Sequence, residues 1–201
     1  MASNPREPLR SPRRLVIGMA GSSGALYGIR LLQALQGQPG VETHLVITQA
    51  AEINIAHETD QSAEAFRRLA TACYDPNDLA APISSGSFPT DGMVVAPCSM
   101  HSLGAIATSQ STNLLLRAAD VALKERRRLV LLVRETPLHL GHLRLMSQVT
   151  EMGAIVMPPV PAFYAKPKTI DELINQTVGR VLDLFGLPHD LVRRWQGLPP
   201  R

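Results

Sequence analysis

Apolar residues along this chain come in short continuous runs, and the segments between the runs repeat their apolar positions with helical spacing. A run without polar alternation is typical of a strand buried on both faces, as in a parallel sheet covered by helices. The pattern therefore predicts a single doubly wound α/β domain. The predicted strands are 14–19, 43–48, 92–96, 129–133 and 154–157, and the predicted helices are 24–36, 49–57, 61–72, 102–108, 112–124, 139–152 and 169–186.

Polar or rigid segments follow the predicted strands at the positions where each strand ends. Ligands of a doubly wound sheet bind beyond the carboxyl ends of its strands, so these segments are the first candidates for a functional site. Hydroxyls, charges and prolines that meet at one edge of the sheet predict a binding site there. In strand order the segments are 21–24, position 48, 97–102, 134–137 and 158–164.

The GSSG loop at residues 21–24 joins the first strand to the first helix. It lacks the G-x-G-x-x-G spacing of a dinucleotide site, and Thr48 ends the second strand where an acidic residue would bind a ribose, which disfavours NAD. The Walker spacing G-x-x-x-x-G-K-[ST] is missing as well. Two interpretations stay open: an anion bound at the helix amino terminus near Ser22 and Ser23, or a tight turn in which a serine caps the helix.

A second loop rich in hydroxyls, PCSMHS, follows the third predicted strand. Two such loops facing one crevice suit the phosphate and ribityl chain of a mononucleotide, with Ser99 and Ser102 as contacts. Cys98 lacks the His/Asp partner pattern of a catalytic nucleophile and is predicted to be a small buried residue. A lone histidine such as His101 is predicted to belong to a polar pocket wall or the surface.

Charged and aromatic side chains follow the last two predicted strands. Arg134 suits a phosphate and Glu135 a proton or an orienting contact, but a structural Arg–Glu pair fits the same sequence. The PPVPAFY segment predicts a rigid extended backbone that fixes Tyr164. Arg180, on an apolar helical repeat, either snorkels or pairs with an anion, and Lys124 lies at a helix end that is predicted to be solvated.

Composition narrows the classes of function. The 201 residues are 45% hydrophobic and 18% charged with a formal net charge of +3, which is typical of one globular domain. Aromatic residues make up 4% and the cations are scattered, which disfavours nucleic-acid binding. Two separate cysteines suit a reducing cytoplasm, and the apolar runs are too short for a signal peptide or a membrane span. Residues 1–13 are predicted to be a disordered basic tail.

Five segments resemble, in order and spacing, those of the UbiX-type flavin prenyltransferases. They are AGSSGALYGIRLL, the APCSM loop, LLLRAADVALKERRRLVLLVRETPL, GAIVMPPVPAFY and VGRVLDLFG, and the similarity covers residues 14–187. The resemblance implies a three-layer α/β/α fold of the Rossmann-like or flavodoxin-like type over residues 14–188, with residues 189–201 as a C-terminal tail or lid. It also implies a homododecamer built from trimers.

The resemblance further implies a reaction and its substrates. A dimethylallyl group passes from dimethylallyl phosphate to N5 and C6 of reduced FMN, which is bound as a substrate, and no metal takes part. The product, prenylated FMN, serves UbiD-type decarboxylases, so such an enzyme is an expected partner. The sequence has no DDxxD motif, which agrees with a metal-independent family.

Residue by residue, the resemblance assigns three groups of positions. The FMN positions are Gly21, Ser22, Ser23, Thr48, Ser99, Met100, His101, Ser102 and Arg134. The positions for dimethylallyl phosphate are Lys124, Glu135, Tyr164 and Arg180. The positions implied in catalysis are Ser23, Glu58, Lys124, Glu135 and Trp195.

Elementary chemistry agrees with this assignment, although two alternatives remain. Fixed cations suit a phosphate leaving group, and the rings of Tyr164 and Trp195 offer π faces to an allylic cation. Thr48, His101 and Val133 stand where the family commonly has Ser, Lys and Pro, and the first two are expected to tune FMN binding. An FMN-dependent cysteine decarboxylase is disfavoured because its P-x-M-N-x-x-M-W signature is missing. A non-catalytic FMN-binding accessory subunit is disfavoured because flavin binding alone does not require three cations.

Overall fold

The computed structural model describes residues 12–197, and within them six strands form one parallel sheet. The sheet order is β3-β2-β1-β4-β5-β6. All seven residues of β4 are buried, which explains why the strands read as continuous apolar runs. The strands are β1 (Arg13–Met19), β2 (Val41–Ile47), β3 (Ala72–Tyr74), β4 (Gly92–Cys98), β5 (Arg128–Val133) and β6 (Ile155–Val156).

Helices cover both faces of the sheet. Alternate residues of a strand point to opposite faces, so Ile17 packs in the layer of α1 and α7 while Val16 packs in the layer of α5. The predicted three-layer α/β/α fold class is therefore confirmed. The helices are α1 (Ala25–Leu35), α2 (Gln49–Glu58), α3 (Ala63–Arg67), α4 (Met100–Ala107), α5 (Leu114–Lys124), α6 (Leu140–Glu151) and α7 (Ile170–Leu184), with short 3-10 helices at Pro82–Ser84 and Phe163–Ala165.

The chain reverses its direction of winding between β1 and β4, which are neighbours in the sheet. With β3 included, the strand order is that of the dinucleotide-binding fold; without this short edge strand, the remaining five strands follow the flavodoxin order. In both arrangements the crevice at the reversal is where a ligand binds. The fold therefore points to the carboxyl ends of β1 and β4 as the place to look for a site.

Strand β3 was not predicted, and the predicted helix 61–72 is wrong over its second half. Helix α3 ends at Arg67, and Ala72–Tyr74 instead pairs with β2. A three-residue strand is too short to show a period, and its conformation depends on pairing with β2, which lies far away in sequence.

The predicted boundary of the basic tail is one residue too long. Arg13 is the first residue of β1, and its guanidinium donates hydrogen bonds to Asp91 (3.0 Å) and to the carbonyl of Phe185 (2.6 Å). The rest of the predicted tail up to residue 11, and residues 198–201 of the predicted C-terminal tail, lie outside the described residues. None of the described helices combines the length and the apolar character needed to cross a membrane.

Candidate functional site

A cleft of ≈ 650 Å³ lies at the carboxyl ends of β1, β2, β4 and β5, on both sides of the reversal between β1 and β4. All nine positions assigned to FMN line this cleft, together with Glu135. Strand exits that are far apart in sequence therefore meet in one place. The lining residues are Gly21, Ser22, Ser23, Thr48, Gln49, Ala50, Pro76, Asn77, Ser99, Met100, His101, Ser102, Asn113, Arg134 and Glu135.

Backbone hydrogen bonds hold neighbouring strand exits together. The N–H of Ala20 donates to the carbonyl of Pro97 at 3.1 Å, which joins the loop after β1 to the loop after β4. The N–H of Arg134 donates to the carbonyl of Cys98 at 3.1 Å, which joins the exits of β4 and β5. The side chains of the cleft thus stand on a rigid edge of the sheet rather than on free loops.

The GSSG loop depends on two of its glycines. A Cβ on Gly21 would lie 2.3 Å from the Cβ of Ala50, so only glycine lets α2 approach the loop this closely. Gly24 has φ 102°, a conformation that favours glycine, and it turns the chain into α1. Between them, the hydroxyl of Ser22 is buried and has no hydrogen-bond partner among the described residues. A buried hydroxyl that lines a cleft without a partner indicates a contact for a ligand.

The amino terminus of α1 binds a carboxylate of the chain itself. Glu58, at the end of α2, accepts hydrogen bonds from the N–H of Gly24 at 2.9 and 3.0 Å and from the N–H of Ala25 at 2.9 Å. The expected capping serine is therefore not present, because Gly24 precedes α1 and the carboxylate of Glu58 binds the first N–H groups of the helix. A ligand near Ser22 and Ser23 stays a prediction, but it would not take these N–H groups. Glu58 lies behind the loop and does not line the cleft.

The helices α2 and α4 direct their amino termini into the cleft. Thr48 caps α2 by accepting from the N–H of Ala51 at 3.2 Å, and it donates to the carbonyl of Met19 at 3.2 Å. Ser99 caps α4 by accepting from the N–H of Ser102 at 3.2 Å, and the two serine hydroxyls are 3.1 Å apart. The first N–H groups of each helix have no partner within the helix and favour an anion.

Arg134 and Glu135 face the same cleft without pairing to each other. Among the described residues no ion pair joins them, and the Glu135 carboxylate accepts from the N–H of Thr136 at 2.9 Å. Burial raises the pKa of Tyr27, and the positive charge of the Arg134 guanidinium lowers it to a smaller extent. The interpretation as a structural Arg–Glu pair is therefore wrong, and the side chain of Arg134 is placed to contact a ligand.

Tyr164 and Trp195 lie together in a second pocket of ≈ 240 Å³. Their ring centroids are 5.8 Å apart with planes at 80°, a favourable edge-to-face arrangement. The hydroxyl of Tyr164 accepts a hydrogen bond from the amide nitrogen of Gln176 at 2.7 Å. Lys166 and Arg194 line the same pocket, so it combines aromatic rings with cations. The two rings that are expected to face the allylic group thus lie together, but outside the main cleft.

Arg180 and Lys124 line neither pocket. Arg180 lies on α7, half exposed, and its Nη1 is 2.7 Å from Oδ2 of Asp183. Lys124 ends α5 and pairs with Glu125, at the edge of the sheet where the strands begin. The six residues of β5 separate that edge from the cleft by roughly 20 Å. One chain therefore does not bring its predicted cations together.

Sequence reasoning missed two asparagines of the cleft and was right about one cysteine. Asn77 follows β3 and was overlooked with that strand, whereas Asn113 caps α5 by accepting from the N–H of Leu116 at 2.9 Å. An asparagine directly before LLLRAAD is a helix-start signal that was available in the sequence. Cys98 is fully buried, as predicted, and burial raises the pKa of its thiol to about 12.

Comparison with known proteins gives one family and close structural neighbours. The Flavoprotein family model matches residues 3–182. The flavin prenyltransferase UbiX of Thauera aromatica is 60% identical over 184 residues, which are 92% of this chain and 94% of that protein. The crystal structure of AnUbiX (PadA1) in complex with FMN and dimethylallyl pyrophosphate superposes with a TM-score of 0.91 at 52% identity, covering 94% of this chain and all 100% of the other. A dodecameric FMN-dependent UbiX-like decarboxylase from Escherichia coli O157:H7 superposes with a TM-score of 0.90 at 50% identity, covering 92% and 100%.

Proposed function

We propose a function for this chain from one premise: the chain belongs to the Flavoprotein family and, within it, to the UbiX flavin prenyltransferases. It is a flavin prenyltransferase, and its flavin is FMN. The observation that carries the proposal is the cleft, because all nine positions assigned to FMN line it around a buried hydroxyl without a partner. The activity rests on these relatives and this geometry together.

The cleft has the donors that a flavin mononucleotide needs. The amino termini of α2 and α4 would hold the phosphate, with the Thr48 and Ser99 hydroxyls fixing the two helix starts. The Ser22 hydroxyl supplies a hydrogen bond to the ribityl chain or phosphate, and the Arg134 guanidinium supplies a positive charge beside the ring. The Thr48 and Ser99 hydroxyls are held by hydrogen bonds to the backbone, so little ordering of the two helix starts is needed when FMN binds.

The chain's part in the reaction is to position two substrates and to stabilise a departing phosphate. Reduced FMN supplies the nucleophilic N5, which bonds to C1′ of the dimethylallyl group as the phosphate or pyrophosphate leaves. Protonation of the remaining double bond then lets a different carbon of the same group bond to C6, which loses its own proton, and a fourth ring closes. Arg180 and Lys124 bind the phosphate, so that its negative charge is stabilised as the C–O bond breaks. Tyr164 and Trp195 present ring faces to the allylic group, and Glu135 orients the phosphate or holds a proton.

Neighbouring subunits of a homo-oligomer complete this set of groups. The proposal is supported by the position of Lys124 at the edge of the sheet away from the cleft, and by the dodecameric relative. It is also supported by exposed apolar side chains that cluster around the ends of β5 and β6. These are Leu138, Leu140, Leu143, Val160 and Phe163, of which the last two are each 72% exposed. A dodecamer built from trimers would bury them.

The product and the compartment follow from the same chemistry. Prenylated FMN is a modified flavin, and an enzyme that uses it, a UbiD-type decarboxylase, is the proposed recipient. A cytoplasmic location is supported by the two free thiols, Cys73 and Cys98, which suit a reducing compartment.

The mass of the flavin tests the activity. The purified chain is incubated without oxygen with reduced FMN and either dimethylallyl phosphate or dimethylallyl pyrophosphate, and the flavin is then released and weighed by mass spectrometry. We expect a flavin heavier by one C5 unit with at least one donor, and unmodified FMN when the donor is omitted. Bound FMN of unchanged mass with both donors, beside a relative that is active under the same conditions, would instead favour the accessory subunit.

A further inference from the structure

Asp183, on α7, gathers three side chains of which only one is assigned to the reaction. Its Oδ2 lies 2.7 Å from Nη1 of Arg180 and 3.2 Å from Nη1 of Arg194. Its Oδ1 lies 2.8 Å from Nη2 of Arg194 and 3.0 Å from Nε2 of His189. Arg194 therefore grips both carboxylate oxygens with two parallel hydrogen bonds, the strongest geometry for such a pair.

The C-terminal segment, residues 186–197, folds back along α7, and His189 and Arg194 of this segment contact the carboxylate of Asp183. His189 is buried, and its Nδ1 accepts from the N–H of Leu191 at 3.2 Å, so its proton is on the Nε2 that faces Asp183. A Cβ on Gly179 would lie 2.2 Å from Cγ2 of Val192 and 2.8 Å from Cε1 of His189. The segment thus packs directly against the helix backbone at Gly179, where there is no side chain in the way.

The position of Trp195 follows from these contacts. Trp195 comes directly after Arg194 and meets the ring of Tyr164 edge to face. The charge on Asp183 persists at physiological pH, because the Arg194 guanidinium holds the pKa of this carboxyl well below its usual range. One permanent carboxylate therefore lies between the segment that carries Trp195 and the guanidinium of Arg180.

We propose that Asp183 is a positioning residue, which docks the C-terminal segment so that Trp195 covers Tyr164 and holds Arg180 beside the same pocket. This inference rests on the proposed function in one respect, which is that Arg180, Tyr164 and Trp195 contact the prenyl phosphate. A carboxylate offers about four lone-pair sites. Arg180 is thus free to leave for a phosphate while Arg194 and His189 stay bound. The segment remains docked during that exchange, and the ring of Trp195 stays in place.

The single tryptophan of the chain gives a direct measurement of docking. In Asp183→Asn, the amide NH₂ faces guanidinium donors, so the C-terminal segment is expected to come free. We expect the time-resolved fluorescence anisotropy of Trp195, measured on the full chain without flavin, to gain a nanosecond component of segmental motion. The matched control is Asp190→Asn, at an exposed carboxylate of the same segment with no hydrogen bond or ion pair within the described residues, and it is expected to match the wild type.

Two further variants separate docking from the charge on Asp183. Gly179→Ala adds a methyl group that displaces the segment, and Arg194→Gln removes the two parallel hydrogen bonds from Arg194 to Asp183. Both variants leave the Arg180–Asp183 pair in place. Both are expected to free Trp195 as Asp183→Asn does. If Asp183→Asn unfolds, these two variants still decide the docking, and unchanged anisotropy in both overturns the proposal.

The kinetic test asks whether Asp183 also serves Arg180. Asp183→Asn is expected to raise KM for dimethylallyl phosphate by about tenfold, the size of a charge-assisted hydrogen bond, with FMN affinity unchanged. Loss of FMN affinity to the same extent would indicate a general structural defect and overturn this role. A wild-type chain that does not prenylate FMN would refute the proposed function, whereas the anisotropy comparison would still test the docking by itself.

Discussion

At the scale of single residues, variants of Ser22 and Ser99 are expected to distinguish an effect on ligand binding from an effect on stability. Removal of the Ser22 hydroxyl breaks no hydrogen bond within the described residues, whereas removal of the Ser99 hydroxyl breaks the cap of α4. Ser22→Ala is expected to weaken FMN binding by roughly tenfold with Tm unchanged. Ser99→Ala is expected to weaken FMN binding and also to lose about 1 kcal/mol of stability with the cap.

Flavin fluorescence titration and thermal unfolding of the two variants check this contrast. Thr108→Ala, at the far end of α4 and outside the lining of the cleft, serves as a control for FMN binding. A drop in Tm of Ser22→Ala as large as that of Ser99→Ala would contradict the idea that the Ser22 hydroxyl is free for the ligand.

The nine FMN positions of the cleft were predictable because they lie in segments that directly follow β1, β2, β4 and β5, and the ends of parallel strands meet at one edge, whereas Asn113 precedes a helix and was missed. The contacts of Glu58 were not predictable, since its carboxylate bonds to Gly24, 34 positions away, through a packing of α2 on the GSSG loop that no local pattern encodes. The contact between Asp183 and Arg194 could not be predicted for the same reason, because Arg194 lies 11 positions further on in a segment without periodicity.

At the scale of elements, the docking of the C-terminal segment on α7 is expected to depend on pH. The pKa of Asp183 is lowered in the folded chain, chiefly by its hydrogen bond from Arg194. A lowered pKa contributes stability that is fully present above the unfolded value of about 3.9 and is lost as the pH falls toward the folded value. The contribution of Asp183 is therefore constant from neutral pH to about pH 5 and declines in more acidic solution.

Urea unfolding of the wild type and of Asp183→Asn over a pH series measures this contribution. The difference in free energy of unfolding between the two proteins is expected to be largest at neutral pH and to shrink below about pH 4. A difference that stays constant down to acidic pH would mean that the carboxylate charge does not stabilise the fold.

Element types were predictable where a run was long enough to show a period. Strands β1, β2, β4, β5 and β6 were found from their apolar runs and the principal helices from apolar spacing, and their order follows the rules of doubly wound sheets. Strand β3 has three residues and owes its conformation to pairing with His44–Val46 of β2. Because that pairing joins residues far apart in sequence, no local pattern signals the strand.

At the scale of the whole molecule, our proposal divides the site between subunits. Lys124→Ala and Arg134→Ala are each expected to abolish most prenylation as pure oligomers. Mixed oligomers, made by co-expressing the two variants, contain some sites where an intact Lys124 meets an intact Arg134 from another chain. We expect these mixtures to recover a substantial fraction of wild-type activity.

Flavin mass after anaerobic turnover measures the recovery, with oligomer composition determined by distinct affinity tags on the two variants. The control mixture carries Arg134→Ala in every chain, with half of the chains under each tag, so that no cleft contains an intact Arg134 and no complementation can occur. Equal activity of both mixtures would contradict a site shared between chains. The distance behind this proposal could not be predicted from the sequence, because motif order says nothing of the roughly 20 Å that β5 places between Lys124 and the cleft.

The carboxylate of Glu58 also decides which nucleotides this sheet can accept. In dinucleotide-binding sheets of the same strand order, the pyrophosphate lies at the amino terminus of the first helix. Here that terminus already holds a negative charge of the chain, and its N–H groups at Gly24 and Ala25 are occupied. A pyrophosphate in the usual position would meet like charge and no free donor. The chain thus contains its own competitor for that phosphate position, and we expect NAD and similar dinucleotides to compete poorly with FMN for the cleft.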